Sequence, residues 1–322
     1  MYQISRMKKE DISPAMQIWH NQYKKYCGRD VFPDLWDDGR KEMESYLLMQ
    51  QEKGNAIVVK KDEAIAGFIA WVYIDFHGEK SAFCPTVSHA AIEEDKEQVY
   101  RAIYNYASQK WVENNTFNHL WMFFKNDAVT KNILYDIGFG SHVVDACQKT
   151  SEFTLQIDCP YRVSKAIPKD ADLLFSLVEE SRRYYLDAPI FLKRDVYTKE
   201  SLLRIIKRSN VFIAWDNSVP VGMMSLVLSE RYNIETLAGL GSGLIEELGA
   251  YVKPEYRGKG IGTSLLKELF DHCRIASIPY VHLSYETANP YANRFWRKYF
   301  KPIILSVRRT VNKDSNSSSS FL

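Results

Sequence analysis

At 322 residues the chain is long enough for two domains of ordinary size, and 46% hydrophobic with 25% charged residues is the profile of a folded globular protein. A net charge of +2 is too balanced to argue for nucleic acid or an anionic membrane as partner. No apolar run reaches a bilayer span, the opening Met1–Met7 lacks a signal peptide's apolar core, and the five cysteines (27, 84, 147, 159 and 273) are scattered and never spaced C-x-x-C. The expectation is a cytoplasmic protein with reduced thiols, no disulfide frame and no metal site.

In chain order, Tyr2–Arg6 alternates as a short strand, and the charged Lys8–Asp11 opens a helix that ends in a tyrosine-rich stretch. A second helix is expected over Arg40–Gln51, then paired strands over Asn55–Lys60 and Ala64–Ile74. Thr86–Ile92 reads as a further strand. The acidic run Glu93–Gln98 leads into a helix over Val99–Val112. The acidic run reads as a solvated helix start, where carboxylates suit the helix dipole.

The plan then repeats. Tyr161–Lys165 is a strand, Pro168–Asp172 a helix start, Arg182–Asp187 a tyrosine-bearing helix end, and Lys199–Lys207 a second helix. Strands follow at Asn210–Trp215 and Val219–Leu228, with Gly222 placed as Gly67 is in the first pass. Gly239–Gly243 reads as a flexible connection. A repeat of this length means duplicated domains rather than a solenoid, in an α/β plan with a mixed sheet. The boundary is expected near Cys159-Pro160, dividing the chain into 1–155, 156–312 and a polar, low-complexity tail, 313–322, expected to be disordered.

The second pass carries a stretch without counterpart in the first. Leu248–Val252 is short and apolar, as a buried strand would be, and Pro254 stops strand pairing. Glycines 258, 260 and 262 form a turn, and from Thr263 helical spacing puts Leu265, Leu266, Leu269 and Phe270 on one face. Strand, glycine turn and helix start together make an anion site, with Arg257 and Lys259 adding cations. A Walker loop is excluded because no Lys-Ser or Lys-Thr pair follows these glycines, and the dinucleotide fingerprint fails on their spacing. Beyond lie a strand, Tyr280–Tyr285, and a helix start with Asn289 as cap and Pro290 at its first position.

Tyr251-Val-Lys-Pro-Glu-Tyr-Arg-Gly-Lys-Gly-Ile-Gly262 resembles the pyrophosphate loop of the GNAT superfamily of acetyl-CoA-dependent N-acetyltransferases. The element order resembles that fold too, which implies two tandem GNAT-like acyl-CoA N-acyltransferase domains covering nearly the whole chain. The resemblance implies acetyl-CoA as co-substrate. Backbone groups of Ala250, Tyr251 and Val252 would hold its pantetheine arm and polarise the acetyl carbonyl. The amides of Arg257, Gly258, Lys259, Gly260, Ile261, Gly262 and Thr263 would cradle the pyrophosphate, and Asn289 would contact the pantetheine. Where the family has a general-acid tyrosine this chain has Trp296, which would line the CoA wall; Tyr291 or Tyr285 is the nearest phenol to replace it. The family's closing Gly-Phe is also replaced, by Tyr299-Phe300. The base would be Glu246 or Glu247, raised in pKa by burial on the strand; alternation sends only one to the cleft, and the sequence does not say which.

In the first half the acidic run stands where the loop should be. It has no glycine to open the turn and its charge repels a pyrophosphate, so this domain reads as degenerate; Asn126–Phe139 still resembles the family segment in which an Asn starts a helix that ends in Leu-Tyr and Gly-Phe, here with Tyr135 a packing residue. His282 reads as a hydrogen-bonded sheet residue, and Cys273 has no paired histidine to make it a nucleophile. Gly239–Gly243 and Arg182–Asp187 are expected to border the acceptor pocket. The expected activity is acetyl transfer to a primary amine, of a small molecule or a peptide, by direct attack in a ternary complex. The alternative is a non-catalytic CoA-binding sensor or scaffold. Neither nucleic acid nor membrane is expected as partner, and the chain is expected to be a monomer or homodimer.

Overall fold

The computed structural model describes residues 2–26, 35–157 and 160–316. Cys27, Cys159 and most of the expected tail lie outside the described residues. The chain forms two compact units. The first comprises the chain up to Asp145 with Tyr232–Gly239 and the residues from Pro302; the second comprises Ala146–Arg231 and Leu240–Lys301. Two segments from the second half of the sequence therefore sit in the first unit.

The first unit runs β1 (Gln3–Arg6), α1 (Ile12–Tyr26), α2 (Leu35–Glu52), β2 (Ala56–Lys61), β3 (Ala64–Ala70), β4 (Val72–Phe76), β5 (Glu79–Cys84), β6 (His89–Ala91), α3 (Lys96–Glu113), β7 (Asn118–Phe124) and α4 (Ala128–Asp136), and the next strand, β8 (Gly140–Lys149), passes out of it after Asp145. The long expected strand over 64–74 breaks at Trp71, so β3 pairs with β2 and β6 while β4 pairs with β5. The strand Lys301–Thr310 pairs antiparallel with β7 throughout Ile304–Thr310, which fixes the chain's end in this unit. Thr86 donates a hydrogen bond to the Glu235 carbonyl at 2.7 Å, and Leu237 and Ala238 are fully buried, which anchors the other returning segment.

The second unit runs β9 (Arg162–Lys165), α5 (Ala171–Tyr184), α6 (Lys199–Arg208), β10 (Asn210–Asp216), β11 (Val219–Leu228), β12 (Gly243–Ile245), β13 (Ala250–Val252), α7 (Ile261–Ile275), β14 (Tyr280–Glu286) and α8 (Pro290–Trp296). Strand alternation sorts the layers. Val211, Ile213, Trp215 and Met223 join Leu174, Leu177 and Val178 of α5 and Leu202, Ile205 and Ile206 of α6 in one core. Phe212 and Gly222 face α7, whose buried stripe holds the four residues that the spacing predicts. Gly222 is needed there because a Cβ would lie 3.0 Å from Ile261 and 3.2 Å from Leu265. Gly67 has the same task in the first unit, where a Cβ would lie 2.4 Å from Val99 of α3. The repeated helix starts match as well: Asp11 accepts the Lys8 N–H at 2.8 Å and Asp170 the Ile167 N–H at 2.9 Å.

Phe270 is fully buried and stacks on Phe153 with ring centroids 3.9 Å apart. Phe270→Ala is expected to cost about 3–5 kcal/mol, through lost transfer energy and the cavity left behind. Urea unfolding followed by tryptophan fluorescence would measure it, and a cost below about 1 kcal/mol would mean that α7 repacks without loss.

Candidate active site

The site starts from a fault in a ladder. Strand β11 pairs with β12 at Val227–Leu228 and with β13 at Gly222–Met224, so residues 225 and 226 face the whole stretch 245–249. The extra residues form a turn in which Glu247 and Gly249 take positive φ, +62° and +66°. Ser225 holds the turn, its N–H donating to the Gly249 carbonyl at 2.9 Å and its hydroxyl to the Glu246 carbonyl. Strand β14 runs parallel to β12 as far as Ile245 and Leu283, whereas β13 pairs with β11. Past the turn, the edge of β13 away from β11 has no strand partner among the described residues. A strand edge without a partner presents N–H and C=O groups ready to bind an extended ligand.

At the end of β13 the loop turns through Gly258 and Gly260, both left-handed at φ +78° and +82°. Gly260 caps α7 and brings no side chain to satisfy the first helical amides, and the Ser264 N–H donates to the Gly260 carbonyl at 2.9 Å. The amides of Ile261, Gly262 and Thr263 are thus available to an anion, with the helix dipole behind them. A cleft of about 560 Å3 runs over these elements. Ala250, Tyr251, Val252, Arg257, Gly258, Gly260, Ile261, Gly262, Thr263, Asn289, Tyr291 and Trp296 all line it; Lys259 does not, and lies over the Tyr256 ring at 4.8 Å.

Arg257 is folded into the cleft rather than extended. Its Nε donates to the Val252 carbonyl at 3.1 Å, and its guanidinium lies 4.6 Å from the Tyr184 ring and 4.5 Å from that of Tyr291. Tyr184 donates to Asn289 Oδ1 at 3.1 Å, the atom that also caps α8 by accepting the Ala292 N–H at 3.1 Å. Tyr291 is 53% exposed at the cleft, while Tyr285 is buried and does not line it. Trp296 is buried against Phe295 and Phe300.

The two glutamates are in the turn, not on a strand, so alternation does not separate them. Glu247 is drawn into an ion pair with Arg208, and its carbonyl accepts from Tyr197 at 2.9 Å and Arg194 at 3.3 Å. Glu246 has its carboxyl lifted above the usual carboxylate range by partial burial and then by the charge of Glu247. Neither lines the cleft. His282 is buried in β14, its Nε2 3.6 Å from Cys147 Sγ, and burial lowers it to about 3. Burial raises the Cys273 thiol to about 12.

Sequence reasoning passes over Glu286 and Arg194. Glu286 ends β14, half-buried, and burial lifts its carboxyl to about 7 against the opposing pull of Arg194. Arg194 lies 4.7 Å over the ring of Tyr185, which lines the cleft. A charged residue closing an apolar strand carries no local signal of such surroundings.

The first unit fills the equivalent region differently. Lys96 opens α3 and has a side chain only 1% exposed, with its ammonium 2.6 Å from Asp127, 3.0 Å from Glu93 and 2.9 Å from the Tyr26 hydroxyl. Asp127, rather than Asn126, caps α4, accepting the Thr130 N–H at 3.0 Å. Burial pushes Glu93 up, but hydrogen bonds from Lys25, Lys96 and Tyr26 outweigh it and hold the carboxyl below its ordinary value. The acidic run is therefore half of an internal ion network, not merely a solvated helix start. Tyr135 is partly exposed and hydrogen-bonds Ser141. Among the described residues no group of three or more His, Cys, Asp or Glu is placed to hold a metal ion, and no helix is long and apolar enough to cross a membrane.

Residues 174–300 match the model of the Acetyltransferase (GNAT) family. No curated protein matches the chain. Among solved structures, a GCN5-related N-acetyltransferase from Sphaerobacter thermophilus is similar over 96% of this chain and 95% of its own, at 14% identity and a TM-score of 0.61, which identifies the fold. Looser likenesses include a GCN5-related N-acetyltransferase from Anabaena variabilis, at 12% identity over 97% of this chain and 73% of its own with a TM-score of 0.43. A tandem GNAT protein from the clavulanic acid biosynthesis pathway gives 13% identity over 79% and 82%, with a TM-score of 0.44.

Removing the Lys96 ammonium would leave Asp127 buried without its cation, which costs about 3–5 kcal/mol. Lys96→Met is thus expected to lower the urea midpoint of the first unit's unfolding; an unchanged midpoint would mean that the network contributes nothing net.

Proposed function

We propose, from a chain whose residues 174–300 carry a domain of the GNAT family, that the second unit transfers acetyl from acetyl-CoA to a primary amine by direct attack in a ternary complex. The observation that carries this reading is the meeting, in one cleft, of an open β13 edge with a glycine-capped helix start. On this reading the amides from Arg257 to Thr263 take the pyrophosphate. The pantetheine arm pairs along Ala250–Val252 as a strand would, with Asn289 beside it and Trp296 as apolar wall. A β13 amide polarises the acetyl carbonyl as negative charge builds on its oxygen.

Lys259, outside the cleft lining, adds positive potential on the phosphates' approach. Tyr291, the most exposed of the tyrosines that line the cleft, supplies the proton to the departing thiolate. Of the adjacent glutamates, Glu247 is engaged by Arg208, so Glu246 is the one that draws a cationic amine to the turn. The acceptor is a small-molecule or peptide amine. The first unit, with Lys96 and its carboxylates in place of a glycine turn, takes no cofactor and serves as a supporting domain in a cytoplasmic protein.

A second reading, a sensor that binds acetyl-CoA without turnover, is favoured by one observation: an indole, Trp296, where the family has its acid. The two separate on release of CoA thiol with a panel of amines: the enzyme releases it, the sensor does not. Tyr291→Phe is expected to lower kcat about 100-fold with acetyl-CoA affinity kept. An unchanged kcat would remove Tyr291 as the acid.

Gly260→Ala would force a Cβ into the left-handed region, at about 1–2 kcal/mol, with that atom 3.2 Å from Ile157. Calorimetry should show acetyl-CoA affinity falling about tenfold. Equal affinity would contradict the loop's role.

A further inference from the structure

Resting on the acyl-transfer reading, we propose that the Arg257 side chain plugs the open edge of β13 and yields it to a ligand that carries phosphate. Arg257 is then a specificity-determining residue, which favours coenzyme A thioesters over phosphate-free ones. The ladder shows which groups that edge offers. The Ser225 N–H donates to the Gly249 carbonyl at 2.9 Å, and the Lys253 N–H to the Val221 carbonyl at 3.0 Å. Between them the register pairs Met224 with Ala250, Met223 with Tyr251 and Gly222 with Val252. In an antiparallel ladder the direction of backbone bonding alternates along each strand. Residues 249, 251 and 253 therefore bond toward β11, and Ala250 and Val252 turn their N–H and C=O groups outward.

One of these outward groups is already taken. The Val252 carbonyl accepts Arg257 Nε at 3.1 Å, so a side chain of the protein lies where an extended arm would pair. Tyrosine rings hold the guanidinium there: Tyr291 at 4.5 Å, Tyr184 at 4.6 Å and Tyr251 at 5.8 Å. Val252, Arg257 and all three tyrosines line the cleft. Tyr184 is itself fixed, because its hydroxyl donates to Asn289 Oδ1 at 3.1 Å. The partners of the guanidinium in this pose are thus a neutral carbonyl and aromatic faces.

An anion offers it more. Guanidinium and phosphate pair through parallel hydrogen bonds between opposite charges, whereas the carbonyl accepts one bond and carries no charge. Arg257 begins the glycine turn that leads to the open amides of Ile261, Gly262 and Thr263. A phosphate on those amides shares the cleft with Arg257, and rotation of the side chain exchanges the Val252 carbonyl for it. The edge is freed as the phosphate binds. A thioester without phosphate breaks the same contacts and returns nothing to the guanidinium. The plug therefore weakens such ligands and spares coenzyme A thioesters.

The test titrates two ligands by calorimetry: acetyl-CoA, and S-acetylpantetheine, which has the same thioester arm and no phosphate. Each is added to the full chain unaltered, as Arg257→Ala, and as Arg257→Met, which keeps an unbranched stem against the tyrosine rings. Both variants are expected to bind acetyl-CoA about tenfold more weakly and S-acetylpantetheine about tenfold more tightly than the unaltered chain. The opposite signs are the mark of a plug. A cation that served only the phosphates would leave S-acetylpantetheine affinity unchanged, and a merely structural arginine would lose affinity for both. Either result in Arg257→Met overturns the proposal, and the transfer reading stands if the unaltered chain binds acetyl-CoA. No binding of acetyl-CoA by the unaltered chain would overturn that reading and the plug with it.

Discussion

Between Ile245 and Ala250 the chain makes a four-residue turn, and β14, which pairs with β12, does not continue onto β13. The cleft follows from that break. It leaves a strand edge of backbone donors and acceptors facing open space, and it brings the same strand directly to the glycine turn at Gly258–Gly260. Ser225 keeps the break in register by bonding to both ends of the turn. On the proposed reading the backbone does the binding, and the side chains around it supply apolar, aromatic and cationic walls. The helix behind the turn has to approach the sheet closely, and Gly222 under Ile261 and Leu265 allows it.

The two units share this scaffold and part at the electrostatics. Each has a glycine in the strand beneath its central helix, each opens its first helix with the same aspartate turn, and each caps a late helix with an Asp or Asn side chain. Where the second unit opens α7 with a bare glycine cap, the first opens α3 with Lys96 folded inward onto Asp127 and Glu93. One arrangement leaves amides for a ligand's anion. The other satisfies its own charges internally, and a buried pair of that kind is expensive to break.

Much of this was legible because it is local. The four apolar residues of α7, the cap at Asn289 and the glycine turn all announce themselves within a few residues. The turn at 246–249 did not, since glutamate at positive φ has no sequence signature and the apolar flanks read as one strand. That misreading hid the surroundings of Glu246 and Glu247. Glu286 and Arg194 were silent for another reason: their meaning comes from partners about ninety residues apart in the chain, which no local pattern reports. The inclusion of Tyr232–Gly239 and the final strand in the first unit is equally non-local. Lys96 shows the limit most clearly, since a lysine among acidic residues looks solvated until its partners from α1 and the start of α4 are in view.

The measurement that bears most directly on one working cofactor site is a calorimetric titration of acetyl-CoA into the intact chain, read for stoichiometry. The account predicts one site per chain. Two sites would mean that the ion network around Lys96 opens to admit a ligand, and no binding would contradict the cofactor site itself.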